Sequence, residues 1–257
     1  GRVITEAASH AGNATVVITA PKALRRQGLK TPYWMKGKIN EIFESIQGEG
    51  IYFGEKQIFV RFYGCDLGCD YCDTEQASFV EYEPHEVLDK IKLFNNSISS
   101  IAFTGGEPLQ QKDFLKEVLQ LTSKNGYKNY LETNGAFPEA LADVIDYVDV
   151  VAMDIKLPSS IQGKDLWDEH RKFLNIGSKK EIFVKVIICK DTPEEELKKA
   201  LDIVKELNKA IVFVLQPDYN ENGSDINAKL EKFKEICVKE GVATCIIPQM
   251  HKKLGLK

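Results

Sequence analysis

Residues 57–72 read QIFVRFYGCDLGCDYC, a strand-like apolar run that passes directly into three cysteines within eight residues. The run 57–64 is near-continuous and rich in β-branched and aromatic side chains, as expected of a parallel strand covered on both faces. Two glycines beside the cysteines permit tight backbone turns. We therefore predict a buried strand followed by a short loop. The loop carries Cys65, Cys69 and Cys72.

Comparable strand-like runs recur along the chain, and amphipathic helical patterns fall between them. The further strand candidates are residues 100–104, 128–133, 148–155, 181–189, 210–216 and 242–248. The helix candidates are residues 84–94, 112–126, 191–208 and 225–241. Repeated β–α units imply an α/β fold with a mainly parallel sheet and right-handed crossovers.

The residues that follow the predicted strands indicate where a site would lie. Chemistry in parallel α/β sheets gathers at the C-terminal ends of the strands. The cysteine loop follows the first strand, GGEP (105–108) follows the second, and NG, KLPSS, PDYN and QMH follow later ones. We therefore expect one shared site at this rim of the sheet.

The overall composition excludes several classes of protein. The chain has 257 residues, of which 43% are hydrophobic and 28% charged, which suits one large α/β domain. The net charge of −4 argues against a broad nucleic-acid-binding face. No apolar run is long enough to cross a bilayer, so we expect no membrane span.

Residues 1–34 differ from the rest of the chain. They lack an initiator Met and show no long apolar stretch followed by a cleavage site, so we expect no signal peptide. Met35 is a natural-looking start. We interpret 1–34 as an extension, a cloning remnant or a mis-assigned start before a single domain, 35–257. Without a secretion signal, we expect a cytoplasmic protein with reduced cysteines.

The clustered cysteines favour a metal centre. A structural zinc site usually takes four protein ligands, and no second CxxC is present. A [4Fe–4S] cluster held by only three protein thiolates leaves one iron open for another ligand. Zinc remains the alternative. We expect the other cysteines to be buried small hydrophobes, namely Cys189, Cys237 and Cys245.

The CxxxCxxC spacing after a strand, with Tyr71 directly before the last cysteine, resembles the signature of radical S-adenosylmethionine (SAM) enzymes. TGGEP (104–108) looks like that superfamily's glycine-rich motif, which contacts the amino group of the methionine moiety. The resemblance implies a partial (β/α)6-type barrel over residues 35–257. It also implies that SAM chelates the open iron and is cleaved to methionine and a 5′-deoxyadenosyl radical, which abstracts hydrogen from the substrate.

A longer segment resembles one family within that superfamily. EIFESIQGEGIYFGEKQIFVRFYGC (41–65) and PQMH (248–251) are similar to the 7-carboxy-7-deazaguanine synthase family. The resemblance implies conversion of 6-carboxy-5,6,7,8-tetrahydropterin to 7-carboxy-7-deazaguanine with loss of ammonia, in queuosine and archaeosine synthesis. It further implies Mg²⁺, a homodimer, and a reductase or flavodoxin-type electron donor, with no direct nucleic-acid partner.

The same resemblance implies roles for individual residues. The substrate would contact Ile46, Gln47, Gly48, Arg61 and Thr104. SAM would contact Tyr71, Cys72, Asp73, Gly106, Asp154 and Lys156, with Glu132 and Asn134 as weaker candidates for this cofactor. The cluster would bind Cys65, Cys69 and Cys72, and Mg²⁺ would bind the hydroxyl of Thr74. Arg61 suits the substrate carboxylate because a guanidinium binds carboxylates in a bidentate manner.

Alternatives remain open at this point. AMDIKLPSS (152–160) also resembles glycyl-radical-activating enzymes. A non-catalytic iron–sulfur or zinc protein is a further alternative. TGGEP argues against it, because such a protein needs no site for methionine. For individual residues, the alternatives are that Asp154 and Lys156 only pair with each other and that Gln249 and His251 form a solvated tail. The remaining histidines are expected at the surface, namely His10, His85 and His170.

Overall fold

The structure, a computed structural model, describes residues 35–72, 78–94, 97–207, 209–221 and 223–255. The strands are β1 (Gly37–Ile46), β2 (Lys56–Phe62), β3 (Val80–Tyr82), β4 (Ser100–Gly105), β5 (Lys128–Thr133), β6 (Val150–Asp154), β7 (Glu181–Ile188), β8 (Phe213–Pro217) and β9 (Thr244–Ile246). The α-helices are α1 (Pro84–Ile91), α2 (Lys112–Lys124), α3 (Pro138–Val144), α4 (Trp167–Gly177), α5 (Glu194–Glu206), α6 (Ser224–Lys239) and α7 (Met250–Lys253).

Within the described ranges the strands form one sheet in the order β3-β1-β2-β4-β5-β6-β7-β8-β9. Strand β2 pairs in parallel with β4, and from β4 to β9 each strand pairs in parallel with the next one along the chain. Strand β1 is antiparallel to both β2 and β3. The predicted α/β class with a mainly parallel, open barrel-type sheet is confirmed.

Strand β1 and helices α3 and α4 were not predicted from the sequence. Most side chains of β1 are only half-buried, so the strand lacks the continuous apolar run of its neighbours. Helix α4 reads WDEHRKFLNIG, and its charged residues conceal a buried face. That face carries Trp167, His170, Phe173, Leu174 and Gly177. Their helical spacing is visible in the sequence once His170 is counted as an interior residue.

The alternation of side chains along the strands divides the sheet into two faces. One face packs against the helices in the large core. On the opposite, inner face a smaller core closes one end of the barrel. It is built around Phe59, Ala102, Tyr130, Ala152, Phe183 and Val214. Two residues further along each strand the inner position is polar: Arg61, Thr104, Glu132, Asp154, Lys185 and Gln216. The inner face therefore changes from apolar to polar toward the C-terminal ends of the strands.

The described residues from 35 to 255 form one compact unit. The boundary predicted at residue 35 stays a prediction, and the predicted leader, 1–34, lies outside the described residues. In the part of the chain that the structure describes, no helix is long and apolar enough to cross a bilayer.

Candidate active site

A cavity of about 380 Å³ lies at the polar end of the inner face. The polar inner residues of six parallel strands line it: Arg61, Thr104, Glu132, Asp154, Lys185 and Gln216. The predicted site residues Ile46, Gln47, Gly48, Tyr71, Gly106 and Lys156 line it as well. The structure therefore brings these predicted residues together in one cavity at this rim of the sheet.

The cysteine loop forms one wall of this cavity. Cys65, Cys69 and Cys72 all line the cavity, Cys69 being half-buried and the other two exposed. The loop is held by a bond from the Asp70 amide to the Ser160 carbonyl (3.1 Å). In the described ranges no group of three His, Cys, Asp or Glu side chains is gathered as ligands of a single metal ion. In a [4Fe–4S] cluster, by contrast, each thiolate binds a different iron.

The glycine motif is joined to the cysteine loop through the backbone. The Gly106 amide donates to the Phe62 carbonyl (2.8 Å) and the Glu107 amide donates to the Gly64 carbonyl (2.8 Å). Gly105 has φ of +116°, and a Cβ there would lie 2.4 Å from the Phe62 carbonyl oxygen. A side chain at Gly105 would therefore force β2 and β4 apart. The two motifs are one structural unit.

Glu107 fixes the neighbouring strand end. Its fully buried carboxylate accepts bonds from the Leu109 amide (3.0 Å), the Thr133 hydroxyl (2.9 Å) and the Asn134 amide (2.8 Å). Burial raises the pKa of Glu107 to about 7, against the lowering effect of these donors. Glu107 thereby ties the end of β4 to the end of β5, which places Asn134 on the cavity.

Three of the polar residues form a group on the side of the cavity formed by the loop that follows β1. Gln47 Nε2 donates to Glu132 Oε1 (2.7 Å), and the Thr104 hydroxyl donates to Glu132 Oε2 (2.6 Å). Burial raises the pKa of Glu132 despite these two donors. The sequence suggested Glu132 as a weak candidate for the cofactor, whereas the structure places it with two of the predicted substrate residues.

Arg61 is oriented by an acidic and an aromatic neighbour on β1. Its Nη1 lies 3.0 Å from Glu41 Oε1. The guanidinium carbon lies 5.2 Å from the centre of the Phe43 ring, which stacks on Phe59 at 5.3 Å. The antiparallel β1–β2 pair, absent from the sequence prediction, thus supplies the support for the predicted carboxylate-binding arginine.

A chain of charged side chains crosses the cavity to the cysteine loop. Lys185 pairs with Glu49 and lies 3.6 Å from Asp154 Oδ2, which Lys156 approaches at 2.8 Å. The Lys156 ammonium lies 5.0 Å from the centre of the Tyr71 ring. Burial would raise the pKa of Glu49, but Lys185 and the other donors lower it to about 2. Glu49 and Lys185 were not predicted.

The C-terminal residues pack on the loop that follows β1. The Met250 amide donates to the Gly48 carbonyl (2.9 Å), and Gln249 Nε2 donates to Glu49 Oε1 (2.8 Å). A Cβ on Gly48 would lie 2.5 Å from His251 Nδ1. Gln249 and His251 line the cavity, so the alternative of a solvated tail is wrong.

His170 is a correction, because the surface position predicted for it is wrong. The side chain is completely buried on the inward face of α4. Its Nε2 lies 3.1 Å from the Asn134 carbonyl oxygen and 3.5 Å from the Lys156 amide. His170 therefore supports the strand ends that carry two cavity residues. His85 is exposed as predicted, and His10 lies outside the described residues.

We expect His170 to make folding stability depend on pH. Burial lowers the pKa of His170 from 6.5 to about 4, so between these values the unfolded chain binds a proton that the folded protein excludes. Stability is therefore lost as the pH falls. Between about pH 7 and about pH 5, wild type should lose roughly 2 kcal/mol more than His170→Gln. Urea unfolding at the two pH values measures this difference. The control His85→Gln should lose as much stability as wild type. Equal losses in wild type and His170→Gln, or a reduced loss in His85→Gln, would contradict the prediction.

Other predictions have mixed outcomes. Cys237 is buried as predicted, whereas Cys189 and Cys245 are only half-buried. Asp73 and Thr74 lie outside the described residues. The sequence analysis missed two site residues, Lys185 on β7 and Gln216 on β8. The sequence could have indicated both, because each is a polar residue two positions after an inward-facing apolar residue in an otherwise apolar strand.

The cavity wall fits a polar cofactor beside an iron–sulfur cluster. Thiolates are the protein ligands such clusters take. Among the described side chains, the buried atoms without a hydrogen-bond partner are Asn134 Nδ2, Asp154 Oδ1, His170 Nδ1 and both amide atoms of Gln216. Asn134, Asp154 and Gln216 line the cavity, whereas His170 lies behind it on α4. A buried unpaired polar group typically costs about 1–3 kcal/mol, so the atoms of the three cavity residues suit a bound ligand that satisfies them.

Comparison with known proteins identifies one superfamily and, within it, one family of relatives. The profile of the Radical SAM superfamily matches residues 59–230. The 7-carboxy-7-deazaguanine synthase of Geobacter sulfurreducens is 34% identical over 244 residues, which cover 85% of this chain and 97% of that protein. The 7-carboxy-7-deazaguanine synthase of Methanocaldococcus jannaschii is 35% identical over 252 residues, covering 85% and 99%.

Solved structures show the same fold. The crystal structure of QueE from Escherichia coli aligns with a TM-score of 0.60 at 21% identity and covers 83% of this chain and 94% of that chain. The structure of TYW1 with a lysine-pyruvate adduct bound aligns with a TM-score of 0.53 at 15% identity, covering 71% and 72%.

Proposed function

The chain belongs to the radical SAM superfamily and, within it, to the 7-carboxy-7-deazaguanine synthase family, and from this we propose that it converts 6-carboxy-5,6,7,8-tetrahydropterin to 7-carboxy-7-deazaguanine with loss of ammonia. The observation that carries the proposal is that two groups of residues line the same cavity. The cysteine loop and the glycine motif line one side of it, and the Gln47–Glu132–Thr104 group lines another.

On the cofactor side, Cys65, Cys69 and Cys72 would hold a [4Fe–4S] cluster. When bound, the cluster and SAM supply a 5′-deoxyadenosyl radical that abstracts hydrogen from the substrate. The unpaired amide of Asn134 and the unpaired Oδ1 of Asp154 would bind polar groups of SAM. Lys156 keeps the carboxylate of Asp154 in place through its 2.8 Å contact.

On the substrate side, the chain offers complementary groups to a carboxylated pterin. Glu132, held by Gln47 and Thr104, would accept N–H bonds from the aminopyrimidinone edge of the ring. Arg61 would bind the substrate carboxylate, with Glu41 holding one of its nitrogens. Polar groups fixed before binding reduce the entropy lost on association.

Further partners complete the proposal. Mg²⁺ would bind the hydroxyl of Thr74, which follows the last cysteine of the motif by two residues. The enzyme would take its electron from a reductase or flavodoxin-type donor and act as a cytoplasmic homodimer. These assignments rest on the family resemblance.

The direct test is anaerobic reconstitution with iron and sulfide, followed by incubation with SAM, dithionite and the carboxytetrahydropterin. We expect a deazaguanine chromophore whose formation requires SAM and is stimulated by Mg²⁺. Cleavage of SAM to 5′-deoxyadenosine without this product would favour the glycyl-radical-activating alternative. Failure to bind iron and to cleave SAM would contradict both enzymatic functions.

A further inference from the structure

Lys185 occupies a central position on the inner face of the barrel. It lies on β7, directly opposite Asp154 of β6 in the register of the sheet. Its ammonium pairs with Glu49 on one side and lies 3.6 Å from Asp154 Oδ2 on the other. The side-chain exposures of Lys185, Glu49 and Asp154 are only 18%, 19% and 13%. These charges are therefore shielded from solvent and interact strongly.

Glu49 belongs to the substrate side of the cavity. Its amide donates to Gln47 Oε1 (3.0 Å), and Gln47 Nε2 in turn donates to Glu132. Its carboxylate also accepts the bond from Gln249 in the C-terminal segment. A displacement of Glu49 would therefore move groups that line the proposed pterin subsite.

Asp154 belongs to the cofactor side. Its Oδ2 interacts with both Lys156 and Lys185, whereas its Oδ1 is buried and has no hydrogen-bond partner. The two lysines thus fix the carboxylate so that one oxygen is left for a ligand in the cavity. Lys156 continues the chain of contacts to Tyr71 in the cysteine loop.

The charges explain why a lysine is needed between the two sides. Glu49 and Asp154 are both carboxylates with little exposure, and removal of one member of a buried ion pair leaves the other charge uncompensated. Lys185 is the lysine that contacts both, pairing with Glu49 directly and sharing Asp154 with Lys156. A movement of either carboxylate changes the electrostatic energy of the other through the shared ammonium.

Resting on the proposed function, we propose that Lys185 is a positioning residue that couples the pterin subsite to the SAM subsite through the ion pairs Glu49–Lys185–Asp154. When bound pterin fixes the position of Glu49, the shared lysine also fixes the position of Asp154. Pterin therefore raises the affinity for SAM, and SAM raises the affinity for pterin. Such coupling is reciprocal by thermodynamic linkage.

The experiment measures binding without turnover. SAM is titrated into the anaerobically reconstituted, unreduced enzyme by calorimetry, with and without saturating carboxytetrahydropterin. In wild type the pterin should lower the Kd for SAM by about five-fold or more. Lys185→Met should abolish this effect, and Lys185→Arg should retain most of it because it keeps the charge. Lys180→Met is the matched control, since this half-buried lysine directly precedes β7, does not line the cavity and donates to the Asp146 carbonyl.

Each outcome has a definite meaning. Equal SAM affinity with and without bound pterin in wild type, or full coupling in Lys185→Met, would overturn the inference. If pterin does not bind wild type at all, the proposed function fails instead. Should Lys185→Met not fold, the double variant Glu49→Gln/Lys185→Met removes the uncompensated carboxylate. Coupling must also be lost there, with the cluster absorption intact, for the inference to stand.

Discussion

Cys69→Ala should abolish cluster assembly and all cleavage of SAM. Cys69 is the middle cysteine of the loop and lines the cavity together with Cys65 and Cys72. With one thiolate removed, only two protein ligands remain for a cluster that needs three, so the reconstituted variant should contain no more iron than background. Because the cysteine is on a loop and not in the core, the fold should persist. Iron and sulfide content, the visible absorption and 5′-deoxyadenosine formation report the effect.

A second cysteine provides the control for this prediction. Cys189 is half-buried after β7 and does not line the cavity. Cys189→Ala should therefore assemble a normal cluster and cleave SAM. Iron content at the wild-type level in Cys69→Ala would show that the loop does not hold the cluster as proposed. It would also remove the basis for the enzymatic function.

Arg61→Ala should weaken pterin binding severely while leaving the cluster spectrum unchanged. The variant loses the guanidinium proposed for the substrate carboxylate and the 3.0 Å contact of that group with Glu41. Truncating one member of a charged pair costs about 2–5 kcal/mol. The Kd for the pterin should therefore rise by roughly thirty-fold to a few thousand-fold. Calorimetric titration of the unreduced enzyme measures it.

Two further variants separate binding from structure at this position. Arg61→Lys keeps the charge but not the bidentate geometry, so its affinity should lie between wild type and Arg61→Ala. Glu41→Gln tests the support from β1 and should cause a smaller loss than Arg61→Ala. Loss of the cluster in Arg61→Ala would instead mean that the arginine stabilises the cysteine loop, and its substrate role would fall.

The parallel strands were predictable because both of their faces are buried, so each is a continuous apolar run in the sequence. Strand β2 shows such a run in QIFVRFYG. Strand β1 lacks one, because it lies near the open edge of the barrel where most of its side chains are half-exposed. His170 was misplaced for a related reason: a titratable side chain on a charged helix looks like a surface residue until the neighbouring strand ends are seen to enclose it.

The sequence by itself determined the ligands of the proposed cluster, because CDLGCDYC places three thiols on one short loop whatever the rest of the chain does. Only the tertiary structure decided how the cavity is assembled around that loop. The side chains that bond to one another there are far apart in the sequence. Gln47 and Glu132 are separated by 85 residues, Glu49 and Lys185 by 136, and Glu49 and Gln249 by 200. Strand alternation can show that Glu132 and Lys185 face inward, but Gln47, Glu49 and Gln249 lie outside the strands. Which of them touch depends on the curvature of the sheet and on the packing of the loop after β1 and the C-terminal segment, which no local pattern encodes.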